Sequence, residues 1–173
     1  MALKVRDGRA ADLDHLHRIN EGAVPGVGTL SRERLEALLA ESSAVLVAQN
    51  EREQPLGFVL FMHEGLGYES LNYRWLSERY DRFAYVDRIA VDESARGLGI
   101  GEALYDAVID RFAGKRPVLL AEVNLAPPNP GSLRFHQRLG FREIGDRWAA
   151  DRTKGVVYKS TDGGVTWSDP VTV

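Results

Sequence analysis

The sequence predicts an α/β protein of the α+β type, with a mixed, mostly antiparallel, twisted sheet of six or seven strands and about four flanking helices. Three observations favour this class. Strand-like and helical segments are mixed along the chain without strict alternation. The length of 173 residues suits one domain with a sizeable core. The run at 117–125 is apolar at nearly every position, as in a strand covered on both faces.

Composition excludes several functional classes. The chain has no cysteine, which rules out a disulfide scaffold, thiolate catalysis and cysteine-based metal sites. A formal net charge of −3 argues against nucleic acid or an anionic membrane as the main partner. The first residues lack the pattern of a signal peptide, and no apolar run approaches the length of a membrane span. We therefore expect a cytoplasmic protein.

The first half of the chain predicts three strands and two helices, with a glycine-rich break between the helices. Leu13, Leu16 and Ile19 recur at helical spacing, and Ser31 is a helix cap. The predicted strands are 3–7, 44–49 and 57–63, and 64–82 is predicted to be irregular and rich in aromatic residues.

The second half predicts four strands and two helices. One helix carries Ile100, Leu104, Val108 and Phe112 at a spacing of four. A shorter helix begins at Asn129–Pro130 and ends before Gly140. The predicted strands are 83–91, 117–125, 141–148 and 155–160.

The end of the chain differs in composition from the rest. Ser160, Asp162, Gly164, Thr166 and Trp167 form a pattern similar to the Asp-box of sialidase-type propellers. A propeller needs several blades, for which this chain has no room. We predict a domain over 1–160 and a C-terminal hairpin or tail over 161–173, with a turn at Asp162–Gly164.

The most informative feature is the run Arg96-Gly-Leu-Gly-Ile-Gly101 between a predicted strand and a predicted helix. Glycines at a helix start leave backbone N–H groups accessible to an anion, and pyrophosphate is the natural ligand. Glu102 stands where the next glycine would be needed for the dinucleotide-binding fingerprint. The glycines alone leave two alternatives open, a phosphate site and a tight turn without a ligand.

Two motifs together resemble the GNAT (GCN5-related N-acetyltransferase) superfamily. Arg96-x-x-Gly99-x-Gly101 matches its Q/R-x-x-G-x-G/A motif, and the run from Asn129 to Phe141 resembles its N-x-x-A-x-x-F-Y-x-x-x-G-F motif. The similarity covers about residues 3–160 and includes features of a bacterial subgroup of predicted acetyltransferases. The resemblance implies acetyl-CoA as co-substrate. The cofactor-binding residues it implies are Ile89, Ala90, Val91, Arg96, Gly97, Leu98, Gly99, Ile100, Gly101, Asn129, Ser132 and Phe135.

Glu122 is the candidate general base. It interrupts an apolar strand, where a carboxylate is costly unless it is paired or faces a cleft. Ala121-Glu122-Val123 also resembles the Leu-Glu-Val of ribosomal-protein N-terminal acetyltransferases, whose glutamate is the proposed base. The alternative is a carboxylate at the solvated strand end, paired with an arginine. Asp87 and Tyr85 are further candidates for the base.

His136 is the candidate acid. It occupies the position of the tyrosine that in many relatives protonates the coenzyme A thiolate. A charged histidine would donate that proton, and shuttling by water or a purely structural histidine are the alternatives. His15, His17 and His63 lack metal-ligand spacing, so we expect no metal.

The expected function is N-acetylation of a primary amine by direct transfer from acetyl-CoA in a ternary complex. The acceptor would be a small molecule, an amino acid or a peptide N-terminus. The loop 20–30 and the aromatic segment 64–85 lie where family members build the acceptor pocket. The alternatives are a non-catalytic acyl-CoA-binding or sensing domain and a nucleotide-binding module unrelated to coenzyme A. Family members are often homodimers, so a dimer is also expected.

Overall fold

The computed structural model describes residues 2–112, 115–148 and 154–161. The described chain contains seven β-strands and five α-helices. In chain order they are β1 Lys4–Asp7, α1 Leu13–Gly22, α2 Arg32–Glu41, β2 Ala44–Gln49, β3 Pro55–His63, α3 Leu71–Ser77, β4 Ala84–Val91, α4 Ile100–Phe112, β5 Val118–Ala126, α5 Pro130–Arg138, β6 Arg142–Trp148 and β7 Lys154–Thr161.

The strands form one sheet in the order β1-β2-β3-β4-β5-β7-β6. The pairs β1–β2, β2–β3, β5–β7 and β6–β7 are antiparallel, whereas β4 and β5 are parallel. The predicted mixed, mostly antiparallel sheet is therefore confirmed. By contact density the chain divides into a first unit, 1–62 with 87–108, and a second unit, 63–86 with 109–173.

The first unit has a continuous apolar core. Leu13, Leu16 and Ile19 are at most 5% exposed, so the predicted stripe of α1 is buried. The Ser31 hydroxyl accepts the Arg34 backbone N–H at 3.1 Å and caps α2 as predicted. Strand β3 is buried from Pro55 to Met62, which explains its nearly unbroken apolar run.

A buried ion pair anchors β1 in the first unit. The Arg6 guanidinium donates to both carboxylate oxygens of Asp12 at 2.7 and 2.8 Å, and both side chains are at most 10% exposed. The hydrogen bonds from Arg6 keep the pKa of Asp12 below its usual value despite the opposing effect of burial.

The second unit corrects one prediction, because 64–82 is not irregular throughout. Ser70 caps helix α3 by accepting the Tyr73 N–H at 3.4 Å. Tyr73 and Leu76 point into the core, where both are at most 2% exposed. The helix has only seven residues, so it lacked the repeated apolar spacing by which longer helices are recognised.

Helix α5 of the second unit begins and ends at the predicted residues. The Asn129 side chain accepts the Ser132 N–H at 3.3 Å, and Pro130 takes the first helical position. Gly140 follows the helix with a φ of 86°, a conformation that favours glycine. The predicted turn at Asp162–Gly164 and the rest of the tail from residue 162 lie outside the described residues.

Candidate functional site

The second half of β4 carries the first group of predicted cofactor residues. Ala90 is 3% exposed, and Ile89 and Val91 on either side of it are half-buried. Strand β3 approaches this segment very closely at Gly57. A Cβ atom at Gly57 would lie 3.0 Å from the Ala90 carbonyl oxygen and 2.9 Å from Ile100 Cγ2. Sequence reasoning missed Gly57, although a lone glycine inside a strand signals such an approach.

We expect Gly57→Ala to lower the free energy of unfolding by about 1–3 kcal/mol, because the added methyl group has no space without displacing β4. Acetyl-CoA affinity should fall as well, since the displaced atoms belong to β4 and to the first residue of α4. Urea unfolding and calorimetric titration measure the two effects. Gly22→Ala is the control, because its Cβ would meet nothing within 4 Å. A fully stable Gly57→Ala protein would contradict the close approach.

The glycine run lies between β4 and α4, as the sequence predicts. Asp92 caps a short 3-10 turn over Glu93–Ala95 by accepting the Ser94 N–H at 3.0 Å. Gly97 and Gly99 have φ values of 78° and 76°, in the left-handed region that favours glycine. The Ala103 N–H then donates to the Gly99 carbonyl at 3.0 Å, which starts α4.

This run presents free backbone donors. Five consecutive backbone N–H groups donate no hydrogen bond to any described residue: those of Gly97, Leu98, Gly99, Ile100 and Gly101. A Cβ at Gly97 or Gly99 would meet nothing within 4 Å, so the space beside these donors is open. Donors at the start of a helix, where the dipole is also favourable, form an anion-binding site. The geometry favours the phosphate alternative over a turn without a ligand.

One guanidinium nitrogen of Arg96 forms a hydrogen bond within the protein. Its Nη2 donates to the Gly22 carbonyl oxygen at 3.0 Å, which links the glycine run to the end of α1. The remaining guanidinium donors of Arg96 have no partner among the described residues. Arg96 therefore holds the α1–α2 loop and retains donors for an anion.

Glu122 lies in β5, in the second unit. The parallel β4–β5 register ends at the pair Val86–Ala121, so Glu122 is the first β5 residue beyond it. The side chain is half-buried, and its Oε2 atom is buried. Glu122 is therefore a half-buried carboxylate just beyond the β4–β5 pairing.

Three predicted residues share helix α5. The Asn129 side chain, just before the helix, accepts the Ser132 N–H as the helix cap, and this contact explains why asparagine stands there. Phe135 is half-buried and is therefore not a core residue, and the Arg138 guanidinium lies 5.7 Å from its ring centroid. Ser132 and Phe135 retain partly accessible surface for a ligand.

His136 is 2% exposed and packs between two aromatic rings. The ring centroids of Phe135 and Phe141 each lie 5.4 Å from that of His136. Since a carbonyl oxygen only accepts, Nδ1 donates to the Ser132 carbonyl at 2.8 Å. Burial lowers the pKa of His136, and the hydrogen bond to Ser132 only partly opposes this. The side chain is therefore neutral at neutral pH, which argues against the imidazolium acid considered from the sequence.

Replacing His136 with glutamine should weaken the pH dependence of stability. The folded pKa lies below the unfolded value of about 6.5, so the unfolded chain binds the proton more tightly. The free energy of unfolding then falls as the pH drops below about 6.5, and is unaffected well above it. Between about pH 7.5 and about pH 5, His136→Gln should lose less stability than the wild type in urea unfolding. His15→Gln, at an exposed position, is the control. Equal losses in His136→Gln and the wild type would show that His136 is not held neutral.

Glu21 stabilises the predicted acceptor loop, residues 20–30, through hydrogen bonds. Its oxygens accept the Thr29 hydroxyl at 2.6 Å, the Leu30 N–H at 3.0 Å and the Asn20 amide at 2.9 Å. The Thr29 hydroxyl is the largest of several contacts that lower the pKa of Glu21 to about 2. Glu21 therefore shapes this loop from within the protein.

The aromatic segment 64–85 divides into a core and a surface part. Tyr73, Phe83 and Tyr85 are at most 3% exposed, and the Tyr73 ring makes an edge contact with Phe83 and a tilted contact with Tyr85. Tyr68 is half-buried and, together with Tyr73, lines an open cavity of about 350 Å³ within 66–78. The aromatic pattern thus reflects a satellite core as well as a surface.

Glu64 also forms hydrogen bonds with groups of the protein itself. It accepts Arg116 Nε at 2.8 Å and the Phe83 N–H at 3.1 Å. Burial would raise the pKa of Glu64, yet these hydrogen bonds hold it at about 2. Like Glu21, Glu64 stabilises the fold through hydrogen bonds within the protein.

Within 2–112, 115–148 and 154–161, no three His, Asp or Glu side chains are grouped so as to hold a metal ion. No helix in those ranges is both long and apolar enough to cross a membrane.

Comparison with known proteins points to one family. The acetyltransferase (GNAT) family model matches residues 14–141, about three quarters of the chain. An uncharacterized N-acetyltransferase of Methanocaldococcus jannaschii is 35% identical over 79 residues, which are 45% of this chain and 34% of that protein. The chain spans about one third of the length of the curated relatives that it matches.

Solved structures share the fold. The ribosomal-protein-S18-alanine N-acetyltransferase of Escherichia coli superposes with a TM-score of 0.70 at 18% identity, covering 93% of this chain and 94% of that chain. A GNAT superfamily phosphinothricin acetyltransferase of Sinorhizobium meliloti, solved with acetyl-CoA, superposes with a TM-score of 0.71 at 22% identity, covering 99% and 94%. The glycine run, the motif of α5 and the family match lead to one conclusion: this chain belongs to the acetyltransferase (GNAT) family.

Proposed function

We propose that the protein is an acetyl-CoA-dependent N-acetyltransferase that moves the acetyl group directly to a primary amine in a ternary complex. The observation that carries this proposal is the set of five free backbone N–H groups from Gly97 to Gly101 at the start of α4. Membership of the GNAT family supplies the co-substrate whose anionic part fits such a site.

The cofactor would be held mainly by backbone. The run Gly97–Gly101 would bind the pyrophosphate, with Arg96 adding its remaining donors, and β4 at Ile89–Val91 would border the pantetheine arm. Since the net charge of the chain is −3, the phosphates must be held by local donors and not by the overall charge. Asn129, Ser132 and Phe135 of α5 are proposed as further contacts.

The bound cofactor supplies an activated thioester carbonyl. A neutral amine attacks that carbon, a C–N bond forms, the C–S bond breaks and coenzyme A leaves as a thiol. Glu122 takes the proton that the amine loses. Backbone N–H groups near Ile89–Val91 would stabilise the negative charge on the carbonyl oxygen. With no cysteine in the chain, no enzyme thioester intervenes, which supports direct transfer.

The proton for the departing thiolate would come from water. A neutral His136 donates its Nδ1 proton to the Ser132 carbonyl, so that proton is already engaged in the protein. We assign His136 to positioning α5 through its contacts with Phe135 and Phe141.

The proposal is tested in two steps. Calorimetric titration with acetyl-CoA should show binding at a single site, and binding should raise the melting temperature by mass action. Thiol release from acetyl-CoA should then depend on an added amine, tested with amino acids, simple amines and peptides. Failure to bind any acyl-CoA would overturn the proposal.

A second candidate is a non-catalytic acyl-CoA-binding or sensing domain. The observation that favours it is the buried, neutral His136 at the position of the usual tyrosine acid. This candidate predicts acetyl-CoA binding without thiol release for every amine tested, whereas an acetyltransferase releases thiol with its acceptor.

A further inference from the structure

Arg88 of β4 is fixed in one orientation by the protein around it. Its Nε donates to Asp87 Oδ2 at 3.1 Å, and its Nη1 donates to Asn20 Oδ1 at 2.8 Å and to the Gly28 carbonyl at 3.2 Å. The side chain is only 12% exposed. These contacts come from β4, α1 and the α1–α2 loop, so the guanidinium plane is held from three directions.

One nitrogen of this guanidinium, Nη2, forms no hydrogen bond with a described residue. An arginine has five N–H donors, and the two on Nη2 of Arg88 contact no described residue. The Nη2 atom is not fully buried, so a ligand can reach it from outside. A rigidly held, mostly buried arginine with two donors left on one nitrogen offers a charge-assisted hydrogen bond to a carboxylate.

The carboxylates around Arg88 have other partners. Asp87 is paired with Arg88 through Nε, and no hydrogen bond joins it to Nη2. Glu21 receives hydrogen bonds on both oxygens from Asn20, Thr29 and Leu30. Neither carboxylate forms a hydrogen bond with Nη2, so an anion bound there would come from a ligand.

The position of Arg88 along β4 indicates which ligand. Val91, the last residue of β4, is three positions after Arg88, about 10 Å along the strand at the usual rise per residue, and the glycine run comes later in the chain. Arg88 directly precedes Ile89–Val91, the segment proposed to border the reactive end of the cofactor, and it contacts the proposed acceptor loop at Gly28.

We infer that Arg88 binds the carboxylate of the acceptor through Nη2, and that the acceptor is a free α-amino acid. The inference rests on the proposed function, since it identifies the amine that the acetyltransferase would use. A charge-assisted contact of this kind favours a carboxylate-bearing acceptor by about 10- to 100-fold over its neutral counterpart.

The test compares matched acceptors. Each amino acid is paired with its amide and with the amine that lacks the carboxylate, for example phenylalanine, phenylalaninamide and phenethylamine. For the wild type, kcat/KM should be about 10- to 100-fold higher for the acid than for either neutral partner. This comparison needs no variant, so it does not depend on whether a substituted protein folds.

The variants show that Arg88 is responsible for the preference. Arg88→Gln should raise KM for the acid and remove the preference, with an unchanged Kd for acetyl-CoA, and Arg88→Lys should restore part of it. Arg52→Gln, at an exposed turn of the same unit, is the matched control and should behave as the wild type.

Three results would overturn the inference. They are a wild type that uses the neutral partners as well as the acids, a wild type that acetylates no amino acid, and an Arg88→Gln protein that keeps the preference or loses acetyl-CoA affinity instead. A protein that binds no acetyl-CoA would overturn the proposed function, which is a separate outcome.

Discussion

Replacing Glu122 with glutamine is expected to lower kcat for amine acetylation by about 10²- to 10⁴-fold, with little change in the Kd for acetyl-CoA. The amide keeps the size of the side chain but does not accept the proton that the amine loses. The loss should be greater for a side-chain amine with a pKa near 10.4 than for an α-amine near 8, which needs less help. Steady-state kinetics on both kinds of acceptor measure this difference.

Glu143→Gln is the matched control for Glu122→Gln. Glu143 is exposed on β6 in the same unit, so its substitution should leave kcat unchanged. Full turnover by Glu122→Gln on an acceptor that the wild type uses would remove Glu122 from the mechanism, and Asp87 or Tyr85 would be tested next as the base.

Replacing Gly99 with valine is expected to weaken acetyl-CoA binding by about 10²- to 10³-fold. A β-branched residue at a φ of 76° costs about 1–3 kcal/mol in strain. Its side chain would also occupy the open space beside the free N–H groups, and each lost hydrogen bond to a charged group costs about 1.5–3 kcal/mol. Calorimetric titration of wild type and variant gives the difference in Kd.

Gly65→Val separates the effect on the ligand from backbone strain. Gly65 also has a positive φ, 84°, and open space around its Cβ position, but it lies outside the glycine run. Both valine variants should lose similar stability, and only Gly99→Val should lose acetyl-CoA affinity. Equal affinities in the two variants would show that the run does not bind the cofactor.

The fold was predictable from the sequence where local signals are strong. Caps at Ser31 and Asn129 and the apolar stripe of α1 set element bounds that the structure confirms to within two residues. Helix α3 was missed because a seven-residue helix depends on tertiary packing of Tyr73 and Leu76, which is not visible in local spacing.

The candidate site was predictable where it depends on backbone. The run that the sequence singled out lies between β4 and α4 as expected, and its glycines 97 and 99 have positive φ values. Side-chain roles were harder to predict, because they depend on partners far away in the sequence. Glu64 is paired with Arg116, 52 positions away, and Arg88 is held by Asn20, 68 positions away. The burial that keeps His136 neutral is likewise a tertiary effect.

The most direct test follows the acetyl group itself. The protein is incubated with acetyl-CoA deuterated in its acetyl group and with a mixture of amino acids, and the products are read by mass spectrometry. We expect a labelled acetyl group on an amino nitrogen with the wild type, and far less labelling with Gly99→Val when the cofactor concentration is near the wild-type Kd. Coenzyme A release without a labelled acceptor, or equal labelling by Gly99→Val, would contradict this expectation.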